Sequence, residues 1–373
     1  MNEKRSAFFS VFIIAAVILS FTAADLVQED RLYSEAENRV LASRPKLTVE
    51  SLFSGDFTKE YETYVTDQFV GRDKWILVKT YTDLALQKKE VGGVYLGAQG
   101  YLIEQHLPED YSAQQVEEKL QLLEKFVEKW DARVMLVPTA DNILEEMMPA
   151  HAPRVDEKAL LSQVENRIGA HSCIDVYSVL MEHADQEIYY HTDHHWTSLG
   201  AYYGYLAWAE AQGLQPAFSL EDMETVAEGF RGTLYAKAKL SPRTDTIHYF
   251  PRTMEHIRKV TYDLKKTSDT CYEWSHLDTR NKYAFFLDDN HALVEIDTGS
   301  QGGGTLFVVK DSYANCLVPL LAAHYEKIYV MDLRYFNGRL FTFMGSCLPE
   351  EGKMDVLLLY NCIHFLEEFK YVQ

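Results

Sequence analysis

A chain of 373 residues holds one large domain or two ordinary ones, and 47% hydrophobic with 13% aromatic residues supplies a sizeable core, which excludes wholesale disorder. The formal charge of −20, from 56 acidic against 36 basic residues, excludes the basic stripe that holds nucleic acid and disfavours an anionic membrane surface.

The first element is an apolar run. Residues 6–24 carry no charge, with Lys4 and Arg5 before them and Asp25, Glu29 and Asp30 after. Positive residues stay on the cytoplasmic side, so the bulk of the chain is expected outside the cytoplasm. The run overshoots a signal-peptide core and is long enough to span a bilayer. It reads as an uncleaved anchor, and the small residues Thr22, Ala23 and Ala24 leave a cleaved signal peptide as the alternative.

Residues 25–92 read as a juxtamembrane connector with short helices, and residues 93–373 as one α/β domain. GVYLGAQGYLIE, from Gly93, alternates around glycines and predicts a β-hairpin. QQVEEKLQLLEKFVEKW places Val116, Leu120, Leu123 and Val127 on one helical face. ARVMLVP predicts a buried strand over 132–138, followed by an amphipathic helix near 157–168 and an apolar run over 173–180. This alternation argues for a parallel central sheet. From about 215 to 304 the rhythm breaks: KVTYDLKK and YAFFLDDNHALVEIDT read as antiparallel strands, a β-rich insertion on one side of the core. The pattern then resumes with strand TLFVVK, helix NCLVPLLAAHY, strand IYVMDL, strand MDVLLLY and a terminal helix. Five scattered cysteines (Cys173, Cys271, Cys316, Cys347, Cys362) show no CxxC spacing; neither zinc knuckle nor disulfide scaffold is expected.

Two stretches carry chemistry. In TLFVVKDSYAN, Ser312 follows a strand and opens a helix, an exposed position at the sheet edge where α/β enzymes place ligands. The backbone N–H groups of Ser312 and Tyr313 are candidates to bind an oxyanion, while a plain helix cap explains the same residues. In HTDHHWTSLGA, Asp193 and His195 stand two apart at a loop, as a carboxylate and the imidazole it orients for a serine nucleophile. Trp196 can shield the pair from water. The alternatives are a metal site built from His191, Asp193, His194 or His195, with His171, His183 or His324 as further ligands, and histidines that are merely hydrogen-bonded in the fold. Arg334 and Tyr335 follow a strand and should emerge at the edge shared with Ser312. Arg334 either meets negative charge, for instance of a sugar acid, or pairs with Asp332. Asn142 and Asn361, after apolar strands, are oxyanion-donor candidates or turn caps.

The run TDHHWTSLGA resembles the hallmark of the DHHW protein family of bacterial exported proteins. That family is similar in turn to the alginate O-acetyltransferases of the SGNH-hydrolase superfamily. SEAENRVLASRPKLT, YETYVTDQFVGRDKW, YLGAQGYLIE, VPTADNILEEMMP, YVMDLRYF and VLLLYNCIHF also look like family segments. The resemblance implies an SGNH-like three-layer sandwich, with Asp193 as acid, His195 as base and Ser312 as nucleophile. That chain order is permuted relative to ordinary SGNH esterases. His194 and Trp196 fall inside the hallmark. The implied activity is extracytoplasmic O-acetyl transfer to a cell-surface or exported polysaccharide, with no cofactor and no metal. A multi-pass membrane O-acyltransferase would be the partner supplying the acyl group. An acetylesterase of the same mechanism, or a glycan-binding envelope-assembly protein without catalysis, are the competing readings.

Overall fold

The computed structural model describes residues 3–34, 39–299, 303–349 and 353–371. The chain divides into two compact units, Met1–Lys88 and Lys89–Gln373.

In the first unit, helix α1 (Glu3–Val27) contains the window Ala7–Ala24 of mean hydropathy 2.4, and its described side chains lie exposed except for Phe21, which is partly covered. Among the described residues it is the one helix long and apolar enough to cross a membrane. Three shorter helices follow: α2 (Val49–Ser54), α3 (Asp56–Gln68) and α4 (Arg72–Ala85). The buried Gln68 amide donates to the Arg31 and Ala42 carbonyls at 2.9 and 3.1 Å and accepts from the Arg31 amide at 2.9 Å. That side chain ties the segment after α1 to the end of α3.

The second unit is built on a seven-stranded sheet. Its strands are β1 (Arg133–Val137), β2 (Ile257–Tyr262), β3 (Lys266–Ser268), β4 (Leu293–Thr298), β5 (Thr305–Lys310), β6 (Lys327–Asp332) and β7 (Met354–Asn361), in the spatial order β1-β7-β5-β6-β4-β2-β3. The four strands β1, β7, β5 and β6 run parallel; β4, β2 and β3 continue the sheet antiparallel. All six residues of β5 are buried, as a central strand covered on both faces requires. Alternate residues feed two cores. Phe307, Val309, Leu358 and Met331 face one core with α5 (Ala113–Trp130), α6 (Glu157–Ile168), α10 (Leu340–Ser346) and α11 (Cys362–Glu368). Leu306, Val308, Leu359 and Val330 face the other with α7 (Val176–Glu182) and α8 (Ser198–Gln212). The architecture is mixed α/β with helices on both sheet faces.

The region 215–304 differs from expectation. It is not a module set on one side, because β2, β3 and β4 extend the central sheet itself. Among the described strands of this region, the hairpin Glu224–Phe230 with Asp245–Tyr249 stands apart from that sheet, enclosing helix α9 (Thr233–Ala238). Residues 282–285 form a 3-10 turn rather than strand, and the left-handed backbone of Leu287, Asp288 and Asp289 breaks the extended run before β4 begins. The apolar run 173–180 contributes α7. The segment after β5 is a 3-10 turn, Ser312–Cys316, and one further turn, Val318–Leu321, in place of a long helix.

The parallel register lines up the functional edge. Lys310 pairs with Asp332 and with Leu359, and Asn361 with Val137. Extending that register puts Ser312, Asn361, Arg334 and Thr139 at the carboxyl ends of adjacent strands, where open α/β sheets carry their sites.

Candidate active site

The loop between Tyr189 and Trp196 is a tight reversal closed by a bridge between those two residues. The Tyr190 amide donates to the His195 carbonyl at 3.2 Å and the Thr197 amide to the Ile188 carbonyl at 2.9 Å. Buried Asp245 accepts from the His191 amide (2.7 Å), the Thr192 amide (2.8 Å) and the Thr192 hydroxyl (2.5 Å). Trp196 closes the other side. It is fully buried, and its indole N–H donates to the Tyr313 carbonyl at 2.8 Å. Its ring packs so closely on α8 that a Cβ at Gly204 would lie 2.8 Å from it. Trp196 therefore joins the histidine loop directly to the serine turn.

That joint aligns three side chains. Asp193 Oδ1 lies 2.6 Å from His195 Nδ1, and His195 Nε2 lies 2.8 Å from Ser312 Oγ. Asp193 Oδ2 accepts from the Thr233 amide at 2.8 Å and lies 3.1 Å from the Thr233 hydroxyl. Burial works against the Asp193 charge, but the neighbouring His195 and His194 and these hydrogen bonds hold its carboxyl far below the usual range. An ionised Asp193 accepts the Nδ1 proton of His195, which leaves Nε2 to accept from the serine hydroxyl. The Tyr283 ring stacks on His195 at 3.8 Å and 12°, and its hydroxyl donates to the Ser312 carbonyl at 3.0 Å. Gly232 approaches so closely that a Cβ would meet Asp193 Oδ2 at 2.1 Å. Ser312 and His195 are 6% and 5% exposed, so both side chains are almost wholly buried.

Several expected residues sit differently. The Tyr313 amide donates to Asp311 Oδ1 at 2.9 Å, which removes it as an oxyanion donor; the Ser312 amide, at the first position of the turn, has no intrahelical acceptor. Asp311 also accepts from the Asn361 amide and from His364 Nδ1, each at 2.9 Å. Asn361 uses Oδ1 to cap α11 through the His364 amide at 2.7 Å. Its side chain lines a recess beside Asp193. Asn142 spends its amide on Asp141 Oδ1 (3.0 Å) and on the Glu157 amide (3.2 Å), so it serves the loop after β1 rather than the serine. Arg334 holds Asp332 with two nitrogens at 2.9 and 2.6 Å and reaches Glu368 at 3.4 Å; Tyr335 is half exposed beside it. The ion pair is thus the role taken.

For a metal, only Asp193, His194 and His195 bring ligand atoms together among the described residues. Both His195 nitrogens are already engaged by Asp193 and Ser312, so a cation would have to break that chain. His194 lies against Thr233 Oγ1 at 2.7 Å, and burial with its neighbour His195 pushes it down to about 3. His191 is held by Asp245 at 3.1 Å, His183 stacks on Tyr203 at 3.6 Å and His324 bonds Tyr205 at 2.7 Å. Thr233, Gly232, Asp245 and Tyr283, all from the region 215–304, are site residues that no motif announces.

Fold and site define a mixed α/β protein with a serine–histidine–aspartate chain at the carboxyl edge of its parallel strands. Residues 90–331 match the DHHW protein family, and the chain belongs to it. A DHHW family protein from Eubacterium siraeum is 25% identical, with 74% of this chain and 93% of that one covered and a TM-score of 0.62. Bacillus cereus PatB1, solved with a sulfonyl adduct, is 20% identical, with 72% and 97% covered and a TM-score of 0.57. The O-acetyltransferase domain of Pseudomonas putida AlgJ is 15% identical over 74% and 94%, at a TM-score of 0.44 too loose to carry weight. The two stronger likenesses bear on fold. No curated protein matches the sequence.

Proposed function

We propose that this chain is an extracytoplasmic serine O-acyltransferase that moves an acetyl group onto a cell-surface or exported polysaccharide, on an SGNH-like fold with permuted triad order. The observation that carries the reading is the unbroken chain from Asp193 through His195 to Ser312 Oγ, with both links at hydrogen-bond length. Ser312 attacks the acyl carbonyl as His195 Nε2 takes its proton, and Asp193 offsets the imidazolium charge. On this reading the oxyanion is held by the Ser312 amide, with the side-chain amide of Asn361, at the end of the neighbouring strand β7, as the second donor. Collapse expels the donor alcohol with the proton from His195. His195 then deprotonates an acceptor hydroxyl, which attacks the acetyl carbonyl; as the acyl–Oγ bond breaks, the proton passes from His195 to Ser312 Oγ and the free serine is restored.

The apolar α1 supports membrane anchorage or export, and a multi-pass membrane acyltransferase is the donor partner this reading implies. No cofactor enters the reaction. The test is acetyl turnover from a chromogenic acetate ester, with and without an oligosaccharide acceptor. Wild-type protein should hydrolyse and transfer, and Ser312→Ala and His195→Ala should each lose about a thousandfold or more. Equal turnover in all three proteins contradicts the assignment.

A further inference from the structure

Within the first unit, the start of α4 is held against the carboxyl end of α1. The Phe21 ring stacks on Phe69 at 5.6 Å and meets Trp75 at 5.9 Å. The Gln28 side-chain amide donates to the Gln68 carbonyl at 3.0 Å, and Arg31 pairs with Asp73 at 3.2 Å. Phe21 stands three residues inside the end of the apolar window Ala7–Ala24, about 4.5 Å along the helix axis. Trp75 therefore sits level with the end of the apolar span.

The helix α4 is turned inside out for an element surrounded by water. Thr80 and Asp83 lie on its buried side, where Asp83 accepts from Lys79 and Lys88 at 2.8 and 2.7 Å. Trp75, Val78 and Tyr81 recur every three places on the other side, 50, 54 and 57% exposed. A helix on the surface of a soluble protein does the reverse, burying its apolar stripe and exposing its polar one. Lys74 and Lys79, both exposed, lie beside the stripe, placed for their stems to run along acyl chains while their ammonium groups reach the phosphate level. An outward stripe carrying Trp and Tyr, edged by lysine and continuous with an apolar span, is the pattern of a helix at a membrane–water boundary.

We infer that α4 lies along the bilayer surface, with Trp75, Val78 and Tyr81 sunk among the headgroups and the upper acyl chains. The first unit then rests on lipid instead of hanging from α1 as a free tether. The inference rests on the reading of α1 as a membrane anchor. The attraction is apolar burial rather than charge, because a chain of formal charge −20 gains nothing from an anionic surface. A transmembrane protein partner is the competing cover for the stripe. Lipid is favoured because Phe21, which touches Trp75, belongs to the span itself.

The experiment reconstitutes the full-length chain into vesicles of palmitoyl-oleoyl phosphatidylcholine, either plain or with acyl chains brominated close to the headgroup, and compares tryptophan emission. Bromine quenches a tryptophan that it touches. The parent should lose emission in the brominated vesicles, and most of that loss should vanish in Trp75→Phe. It should return when Trp75→Phe is combined with Tyr81→Trp, about 9 Å further along α4. Each change exchanges one aromatic for another at an exposed position, so the fold is kept. Co-flotation with the vesicles after an alkaline carbonate wash reads the anchor separately. Protein that floats but shows no quenching at Trp75 overturns the inference, leaves the anchor standing and gives the stripe to a protein partner. Quenching at Trp75 that does not return with Tyr81→Trp means that α4 leaves the surface, and overturns it as well. Protein stripped off by carbonate overturns the anchor reading and the inference with it.

Discussion

Asp193 has every lone pair it needs occupied: His195 on one oxygen, the Thr233 backbone and hydroxyl facing the other. Such a carboxylate orients an imidazole by geometry and by charge together. Asp193→Asn keeps the shape but offers an amide where Nδ1–H must donate. Ester turnover should fall by roughly 10⁴-fold with the melting temperature little changed; a drop below tenfold contradicts the orienting role. Tyr283 works on the same imidazole from its flat side. Tyr283→Phe keeps the stacked ring and loses the bond to the Ser312 carbonyl, so its cost in stability should stay near 1 kcal/mol by denaturant titration. Tyr283→Ala also loses the ring, and should cost about 3–5 kcal/mol and most of the turnover. Of these residues Asp193, His195 and Ser312 were legible beforehand, the first two because the hallmark HTDHHW prints them two apart and the third because it follows a strand. Tyr283 has no periodicity or spacing to mark it, and a partner 88 places from His195 in the chain becomes one only through folding.

Among the elements, the link between β5 and its turn decides where Ser312 points. β5 was readable as a run rich in β-branched and apolar residues, TLFVVK, and the buried strand spans those six residues. The helix expected next was not readable in detail, because the side chain of Asp311 captures the Tyr313 amide and tightens the first turn to 3-10 geometry. The same capture explains why one of the two backbone donors expected for an oxyanion is spent. The region 215–304 misled by composition. Its polar strands read as an appendage, yet β4 pairs along β6 and carries the sheet onward. Its α9 start also seals the triad, since Gly232 touches Asp193 where no larger residue fits. Gly232→Ala should cost about 1–3 kcal/mol and abolish turnover together, as the carboxylate is pushed off His195. A fully active Gly232→Ala protein contradicts the close approach.

On the scale of the molecule, the second unit holds a buried titrating cluster of Glu157, Asp141 and His106. Glu157 is wholly buried, and desolvation with the Asp141 charge pushes its carboxyl far up. The folded protein then keeps a proton that the unfolded chain releases near pH 4.3, so stability is greatest below that point and declines as pH rises. His106, raised to about 9, adds to the decline: its contribution is complete below about pH 6.5 and lost on passing through 9. The contribution of Glu157 is therefore read as a difference: the melting temperature of Glu157→Gln relative to the parent should climb as pH rises above about 5, because the amide has no proton to lose. A difference that stays flat or falls with pH contradicts the assignment. The α/β class and the parallel strands β1, β5, β6 and β7 were legible because each is a short apolar run bounded by turns. The antiparallel continuation was not, since strand pairing between distant segments leaves no local trace.

The central claim is that Ser312 is a nucleophile activated by His195. Its most direct measurement is mass spectrometry after treatment with a sulfonyl fluoride, with every modified peptide mapped. One sulfonyl group should appear on Ser312 in the parent protein, at a rate that drops by orders of magnitude in His195→Ala and vanishes in Ser312→Ala. Labelling spread over other hydroxyls, or equally fast in His195→Ala, contradicts it.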